Sequence, residues 1–413
     1  MEDRLYVAIL SLHTCPFDRP GSRYTGGMNI YIQNLAQELG RRGHSVDIYT
    51  CSHPDDDFCS LVDGSDNVRL VHIESPDYSL ISEKSLGDHI TGLTDSIASY
   101  CLEHNKHYDL IHSHYWLSGI VGSKLKRNWC IPHITMFHTL GAVKNNLGLG
   151  ILEPEYRILN EQVIIGASDL IIASTEREKH ELINRYNANP VAIEIVPCGI
   201  NPALFRPMDK QLARQTCGLA PKKTALFVGR LDPLKALGNL LEAISCLKSR
   251  DDFQLIVVGG NDHGVDFKAI MDAACDYEVS HSVNFIGSVP HERMYLYYNA
   301  ADFCVIPSYY ESFGLVALES LACGTPIIAT DVGEVRDIAG ICQSCRIITG
   351  NTPLELSMNI NAMLDNIGNR KNGYNKLVEL YGWSQVVDKI IQQYRAVIDR
   401  NAEYTQQLCS YKS

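Results

Sequence analysis

The chain has 413 residues and lacks several features that would settle its class at once. No apolar run approaches the ~20 residues needed to cross a bilayer. Met1-Glu2-Asp3-Arg4 leads straight into the strand-like Leu5–Leu12, with no apolar h-region of a secretory signal. Positive charge is not in excess: 36 Lys and Arg against 48 Asp and Glu give −12, which argues against a nucleic-acid partner. No Gly-x-Gly-x-x-Gly opens the first helical segment, and the Gly26-Gly27 pair stands about 14 residues beyond the first strand, so a dinucleotide cofactor is not expected. The 14 cysteines are scattered singly, apart from Cys342-Gln343-Ser344-Cys345, which has no second pair at zinc-site spacing. Free thiols such as Cys304 and Cys323 within apolar runs act as small hydrophobes, and a reduced, cytoplasmic compartment is the economical expectation. Asp55-Asp56-Asp57 follows a strand in a turn-like Ser-His-Pro context and reads as solvated surface rather than a metal site.

What is present is an alternation of strands and helices, repeated. Forty-five per cent hydrophobic and 20% charged residues describe a globular protein, and the length is too great for a single core. Strands are expected at 5–12, 46–51, 69–73, 109–112, 133–137, 169–173 and 193–196. Helices are expected at 28–42, running to the Gly43-His44 stop, and at 86–104. Turn formers crowd Pro197 to Pro207, where the interdomain linker is placed. The pattern then restarts with strands at 224–229, 253–258, 282–286, 302–306 and 327–330, and helices at 236–248 and 315–322. A last helix is expected over about 384–400, with Ser384 as its N-cap. Such an order predicts parallel sheets with helices on both faces.

The most informative segment is Glu311-Ser-Phe-Gly-Leu-Val-Ala-Leu-Glu319, continued to Gly324-Thr-Pro326. Gly314 suits a tight helix entry, Leu315, Leu318, Leu321 and Ala322 follow at helical spacing, and Gly324 is a C-terminal stop. Eight residues at about 100° each would leave the two glutamates roughly 80° apart if both were helical. Glu311 is therefore expected in the loop above the helix and Glu319 near its second turn, both reaching one ligand. The amides of Ser312, Phe313, Gly314 and Leu315 form a helix N-terminus suited to an anion. Taken alone, the segment fits an amphipathic helix with two solvated glutamates equally well. Upstream, Thr224 to Lys235 reads as a buried strand, a Gly229 turn and two cations, Arg230 and Lys235, a pattern suited to a diphosphate.

These motifs together resemble the retaining glycosyltransferases of family 4. So do His13-Thr-Cys-Pro16, Gly26-Gly27-Met28-Asn29-Ile30-Tyr31, Ile111-His-Ser-His-Tyr115-Trp-Leu-Ser-Gly119 and His138-Thr139-Leu-Gly-Ala-Val-Lys-Asn145, which look like segments of the D-inositol-3-phosphate glycosyltransferases. The likeness runs from about residue 5 to residue 330. It implies an α/β protein of the GT-B fold: two Rossmann-like, doubly wound domains facing a central cleft, with a C-terminal helix crossing back. The expected division is an acceptor domain over 1–205, a nucleotide-sugar domain over 206–384, and the returning helix over 385–413.

The resemblance also implies roles. Arg230 and Lys235 would hold the donor diphosphate, Glu311 the sugar hydroxyls and Glu319 the nucleotide ribose. Ser312, Phe313, Gly314 and Leu315 would cover sugar and phosphate, the backbone of Val289 would address the base, and Gly26 and Gly27 would let the donor approach. His138 would contact the donor sugar. His13, Asn29, Lys84, Tyr115, Thr139 and Arg157 would hold a phosphorylated acceptor. Arg157 also has Glu161 four residues later, so an i,i+4 helix pair is its alternative reading. No metal or other cofactor is implied beyond the nucleotide-sugar co-substrate, and a homodimer is left open. Transfer would proceed by front-side attack, because no carboxylate is an obvious nucleophile. Four departures from the family pattern leave donor and acceptor identity open: Tyr24, Ala236 after Lys235, a single Gly333 in Thr330-Asp-Val-Gly-Glu334, and the Ile341–Ile348 segment. Sucrose-phosphate synthases share the Gly-Gly loop and are the alternative, with transfer to fructose 6-phosphate; another family 4 glycosyltransferase acting on a glycan or lipid acceptor is the further one.

Overall fold

The computed structural model describes residues 4–17, 26–51, 59–61, 67–74, 83–150, 152–247, 251–260, 265–342, 345–367 and 373–410. The Asp55–Asp57 run and Tyr24 lie outside them. The first half contributes β1 (Tyr6–Ser11), α1 (Gly27–Arg41), β2 (Ser45–Cys51), β3 (Cys59–Leu61), β4 (Val68–Ile73) and α2 (Glu83–Glu103). It continues with β5 (Leu110–His114), α3 (Tyr115–Trp129), β6 (His133–Met136), α4 (Gly141–Asn146), α5 (Glu155–Ala167), β7 (Leu170–Ala173), α6 (Glu176–Tyr186) and β8 (Ile193–Ile195). These strands form one sheet in the order β3-β4-β2-β1-β5-β6-β7-β8. All pairs are parallel except β3 with β4, an antiparallel edge that the strand–helix alternation does not announce.

The second half begins with α7 (Lys210–Cys217), β9 (Lys223–Val228), α8 (Leu237–Ser245), β10 (Phe253–Val258), α9 (Val265–Asp276) and β11 (Val283–Gly287). It continues with α10 (Met294–Ala300), β12 (Phe303–Ile306), α11 (Leu315–Ala322), β13 (Ile327–Thr330), α12 (Val335–Gly340), β14 (Arg346–Ile348), α13 (Pro353–Leu364), α14 (Tyr374–Tyr381) and α15 (Trp383–Ser410). The second sheet has the order β11-β10-β9-β12-β13-β14 and is parallel throughout. Its strands are near-continuous apolar runs, as in β10, where all six residues are buried, because helices cover both faces.

The end of the chain ties the halves together. Ile200, in the connection after β8, donates its amide to Tyr381 O at 2.7 Å and accepts from Trp383 N at 3.1 Å. A Cβ on Gly199 would lie 2.4 Å from the Trp383 ring, so only glycine lets these two crossovers run side by side. From there α15 lies against α1 and buries Tyr394, whose hydroxyl is 2.7 Å from His112 Nδ1 on β5. One apolar cluster consequently runs from Val7 and Ile9 of β1 through Leu35 of α1 and Tyr394 of α15 to Leu318 of α11.

Two local expectations need correction. Ser384 does not cap the last helix, which starts at Trp383 immediately after Gly382; its carbonyl and hydroxyl instead accept from Arg42 Nη2 at 2.6 and 3.0 Å. The helix expected from 236 starts at Leu237, because Ala236 takes a left-handed conformation (φ 51°) after a 3-10 turn over Pro233–Lys235. Glycine adopts that conformation without the Cβ penalty, which gives a physical reason for the glycine usual there among the proteins the sequence resembles.

Candidate active site

Each sheet has one place where its strand order reverses: between β1 and β5 in the first, between β9 and β12 in the second. Ligands of doubly wound sheets bind outside the carboxyl ends of strands at these switch points. The sequence-derived residues gather there. His13 follows β1, Tyr115 follows β5 and His138–Thr139 follows β6, while Gly229–Lys235 follows β9 and Ser308–Leu315 follows β12. The two sets meet: a Cβ on Gly27 would be 3.1 Å from Leu315 Cδ1, and Ser174 Oγ donates to Ser312 O at 3.4 Å. Gly26 is the N-cap of α1, in extended conformation.

On the second-domain side, Lys235 Nζ lies 2.7 Å from Glu311 Oε1, with side chains 17% and 14% exposed. Ser308 Oγ donates to the same oxygen at 2.8 Å. Arg230 is more open, 57% exposed, and pairs with Asp232 at 3.0 Å. The backbone beside them is crowded: a Cβ on Gly259, at the end of β10, would lie 2.1 Å from Gly229 O, and Gly259 has φ 118°. Gly314 (φ 112°) caps α11 and Gly333 packs against Phe313, where a Cβ would lie 2.3 Å from Phe313 O. The loop Ser312–Gly314 is thereby pinned from behind, with Glu334 N donating to Phe313 O at 2.7 Å.

Glu311 sits in the loop and Glu319 in the second turn of α11, the placement expected from their spacing. Glu319 is more enclosed than expected. Its Oε1 is 2.7 Å from His291 Nε2, and its Oε2 accepts from Tyr298 OH at 2.7 Å. Burial opposes a charge on His291, but the Glu319 carboxylate outweighs it and raises the imidazole above its ordinary pKa. A carboxylate has about four acceptor sites, so this clamp fixes the orientation of Glu319 and leaves a site on each oxygen for a pair of hydroxyls. Val289 lies in the loop between β11 and the 3-10 turn His291–Arg293, packed on the main apolar cluster.

The first-domain side carries unusual backbone. Tyr115 (φ 72°) and His138 (φ 60°) are both left-handed non-glycine residues at the carboxyl ends of adjacent strands, the kind of strain that clusters at functional sites. His138 Nε2 is 2.9 Å from His114 Nδ1, and burial lowers the pKa of His138 to about 3. Both rings are therefore neutral at pH 7, one nitrogen donating and the other accepting. The His13 ring lies 4.6 Å from that of Tyr115, and burial followed by the charge of Arg157 lowers its pKa to about 4.

Arg157 is almost wholly enclosed, 1% exposed, with its guanidinium 4.7 Å over the Tyr115 ring. Nε donates to Glu161 Oε1 at 2.8 Å, so the i,i+4 pair is present, and Nη2 donates to Thr139 O and Oγ1 at 3.0 Å. Glu153 adds a second carboxylate, with Oε2 2.8 Å from Nη1, while its Oε1 pairs with Lys144. Asn29 is 1% exposed; its Nδ2 donates to Thr14 Oγ1 at 3.3 Å and Cys15 O at 2.8 Å and ties the His13 loop in place, while its Oδ1 has no hydrogen-bond partner among the described residues. Lys84 is the second residue of α2, and its side chain lies outside the described residues. Cys342 and Cys345 are free, and burial pushes the Cys345 thiol up to about 12, so neither is poised as a thiolate.

Sequence reasoning did not single out Glu153, His291, Tyr298, His114 or Ser308. Glu153 was the legible one, four residues before Arg157, where a helix-start ion pair forms. His291, Tyr298 and Ser308 meet their carboxylates only through tertiary packing.

Two doubly wound domains with apposed switch points, one lined by Lys and Glu beside a helix N-terminus, define the GT-B class of glycosyltransferases. Comparison with known proteins agrees. Residues 25–204 match the family described as Glycosyltransferase Family 4, and residues 209–376 match Glycosyl transferases group 1. The D-inositol 3-phosphate glycosyltransferase of Geodermatophilus obscurus is 34% identical over 412 residues, covering 97% of this chain and 91% of that protein. That of Corynebacterium jeikeium is 38% identical over 360 residues, covering 84% and 85%. Among solved structures, a sucrose-phosphate synthase from Thermosynechococcus elongatus has TM-score 0.85 at 28% identity, covering 96% of this chain and 100% of that one. Anabaena Alr3699/HepE in complex with UDP-glucose, at 16% identity and TM-score 0.75, covering 95% and 100%, shares the fold. The chain belongs to the group 1 and family 4 glycosyltransferases.

Proposed function

We propose that this glycosyltransferase moves a hexosyl unit, with retention, from a UDP-sugar to a phosphorylated polyol or sugar, inositol 3-phosphate first and fructose 6-phosphate second. The observation that carries the acceptor half is the pair of cations Arg157 and Lys144 gathered on one carboxylate beside Thr139 and Tyr115. Charge-assisted contacts of this kind are about twice as strong as neutral ones, and they suit a phosphate monoester better than an uncharged alcohol. The inositol-3-phosphate and sucrose-phosphate names of relatives and neighbour support the same class.

On the donor side, Lys235 and Arg230 would neutralise the diphosphate as the glycosidic bond lengthens. Glu311 would hold sugar hydroxyls, Glu319 the ribose diol, and His138 the sugar face. The amides of Ser312 to Leu315 would lie over phosphate and sugar, the backbone of Val289 would meet the base, and the bare backbone at Gly26–Gly27 would admit the reactants. His13 would border the acceptor. The attacking acceptor hydroxyl would approach on the face of the leaving group and pass its proton to a departing phosphate oxygen. Closure of the two domains would exclude water. Cations and helix amides take the place of a divalent ion in this reading, and the free buried thiols support residence in the cytoplasm.

The test is an acceptor screen with UDP-sugars, following UDP release, in which each phosphorylated compound is paired with its unphosphorylated parent. Wild type should prefer the phosphorylated member, and Arg157→Ala should shrink that preference. Equal use of both members by wild type overturns the acceptor half. Turnover should also persist in EDTA; a loss restored by Mg²⁺ or Mn²⁺ would overturn the metal-free donor site.

A further inference from the structure

The surroundings of Arg157 raise a question of charge. Lys144 and Arg157 contribute two positive charges and Glu153 and Glu161 two negative ones, so the seat is neutral as it stands. A phosphate dianion gains little from a neutral seat. The two carboxylates are not equivalent. Glu161 is 0% exposed and locked, receiving Gly141 N at 3.0 Å, the Tyr186 hydroxyl and Arg157 Nε. Glu153 is 17% exposed and precedes α5 on a segment entered through Gly148 and Gly150, both left-handed. Its main chain is held only locally, by a two-way bond with the Asn145 side chain at 2.7 and 2.9 Å. Arg157 Nη1, although 2.8 Å from Glu153 Oε2, is a buried nitrogen with no properly aligned hydrogen-bond acceptor among the described residues.

We propose that the Glu153 carboxylate is a displaceable stand-in for the acceptor's phosphate, occupying the seat between Lys144 and Arg157 and leaving when a phosphate enters. This rests on the reading of that seat as the acceptor's anion site. Entry of the dianion then trades one carboxylate for one phosphate against the same two cations. The exchange makes Glu153 a specificity-determining residue. An acceptor without a phosphate cannot displace it, and a simple anion must compete with it. The charges of Arg157 and Lys144 outweigh burial and hold Glu153 below the usual carboxylate pKa, so the stand-in is charged throughout the neutral range.

Glu153→Gln removes the charge and keeps the shape; Glu153→Asp keeps the charge. With inorganic phosphate as probe, at constant ionic strength set with chloride, Glu153→Gln should gain melting temperature as phosphate rises, and more steeply than wild type or Glu153→Asp. The KM for a phosphorylated acceptor should fall about fivefold in Glu153→Gln relative to that for its unphosphorylated parent, the scale of one partly exposed ion pair. A phosphate response no steeper than wild type, or a KM that rises for both members of the pair, overturns the proposal and makes Glu153 a ligand of acceptor hydroxyls or a structural brace. The two readings fail separately. If wild type ignores the phosphate on acceptors while Glu153→Gln still gains phosphate binding, the acceptor assignment falls and the stand-in remains.

Discussion

Lys235→Ala is expected to lower kcat/KM by about 10²-fold or more, the scale of losing one transition-state charge stabiliser. The stronger expectation concerns its partner. Lys235 and Glu311 come from different strand ends, after β9 and after β12, and meet at 2.7 Å in a pocket where each is less than a fifth exposed. Removing the lysine therefore does two things. In the proposed site it takes a cation away from the leaving diphosphate, and it leaves Glu311 partly buried with Ser308 as its remaining side-chain partner among the described residues. Groups that act as a unit are not additive, so Lys235→Ala with Glu311→Gln should be little worse than the worse of the single variants. Kinetics on the singles and the double, with UDP release as readout, check this. Losses that simply multiply would mean that lysine and glutamate act independently, and the pair would then be incidental to turnover. Arg230→Ala should cost less in stability than Lys235→Ala, since Arg230 is 57% exposed and its partner Asp232 is two residues away.

Much of this centre could be read from the chain, because it depends on local rules. Glu311 in a loop, Gly314 at a helix entry and Glu319 one turn in follow from glycine punctuation and the spacing of Leu315, Leu318 and Leu321. All the strands but β3 and β14 were legible as apolar runs between turn formers, with ends displaced by a residue or two; β14, Arg346–Ile348, was not expected. What stayed hidden depends on contacts between distant segments. The antiparallel edge β3 is three residues long and carries no periodic signal. The His291–Glu319–Tyr298 clamp joins positions 28 and 21 residues apart in sequence. The last helix was placed correctly in order but capped at the wrong residue. A Ser two residues before a hydrophobic run looks like an N-cap until Arg42, from the other domain, claims it. Nor does the sequence show that the Asn29 Nδ2 holds the loop that carries His13, a contact between segments 14 residues apart.

Acidification from pH 7 to pH 5 is expected to unfold the protein, and the first-domain histidines are the cause. His112, His133 and His138 have pKa values lowered to about 3, His13 to about 4, and His114 lies well below its ordinary value, in each case chiefly through burial. The unfolded chain would protonate each near 6.5. Below that pH the unfolded state binds more protons than the folded one, so stability is full above about 6.5 and falls as pH drops toward the folded values. At pH 5 His13, His112, His133 and His138 each contribute a loss of about 2 kcal/mol, from 1.5 units at 1.36 kcal/mol each. These four together reach about 8 kcal/mol, comparable with the whole stability of a typical domain, and His114 acts in the same direction. Mutual repulsion sharpens the effect, because the His112 and His114 rings are 4.3 Å apart and His114 Nδ1 is 2.9 Å from His138 Nε2. Three groups pull the other way. His291 is raised by Glu319 and adds stability as pH falls through its folded pKa, while burial raises Glu178 and Glu334, whose neutral forms relieve strain on acidification. They are outnumbered, and the two glutamates titrate partly below the window in question. Carboxylates with lowered pKa, such as Glu38 and Asp331, lose their contribution only below about pH 4.5, so they do not blur the transition. Melting temperatures followed by circular dichroism between pH 8 and pH 5 should fall steeply below pH 6.5. His133→Gln should flatten the slope; among the described residues its ring accepts from or donates to Ser113 and Thr135, away from the proposed reacting centre. A melting temperature that stays level from pH 7 to pH 5 would mean that these rings take up protons in the folded state, and the account of a neutral histidine layer beneath the active site would have to be abandoned.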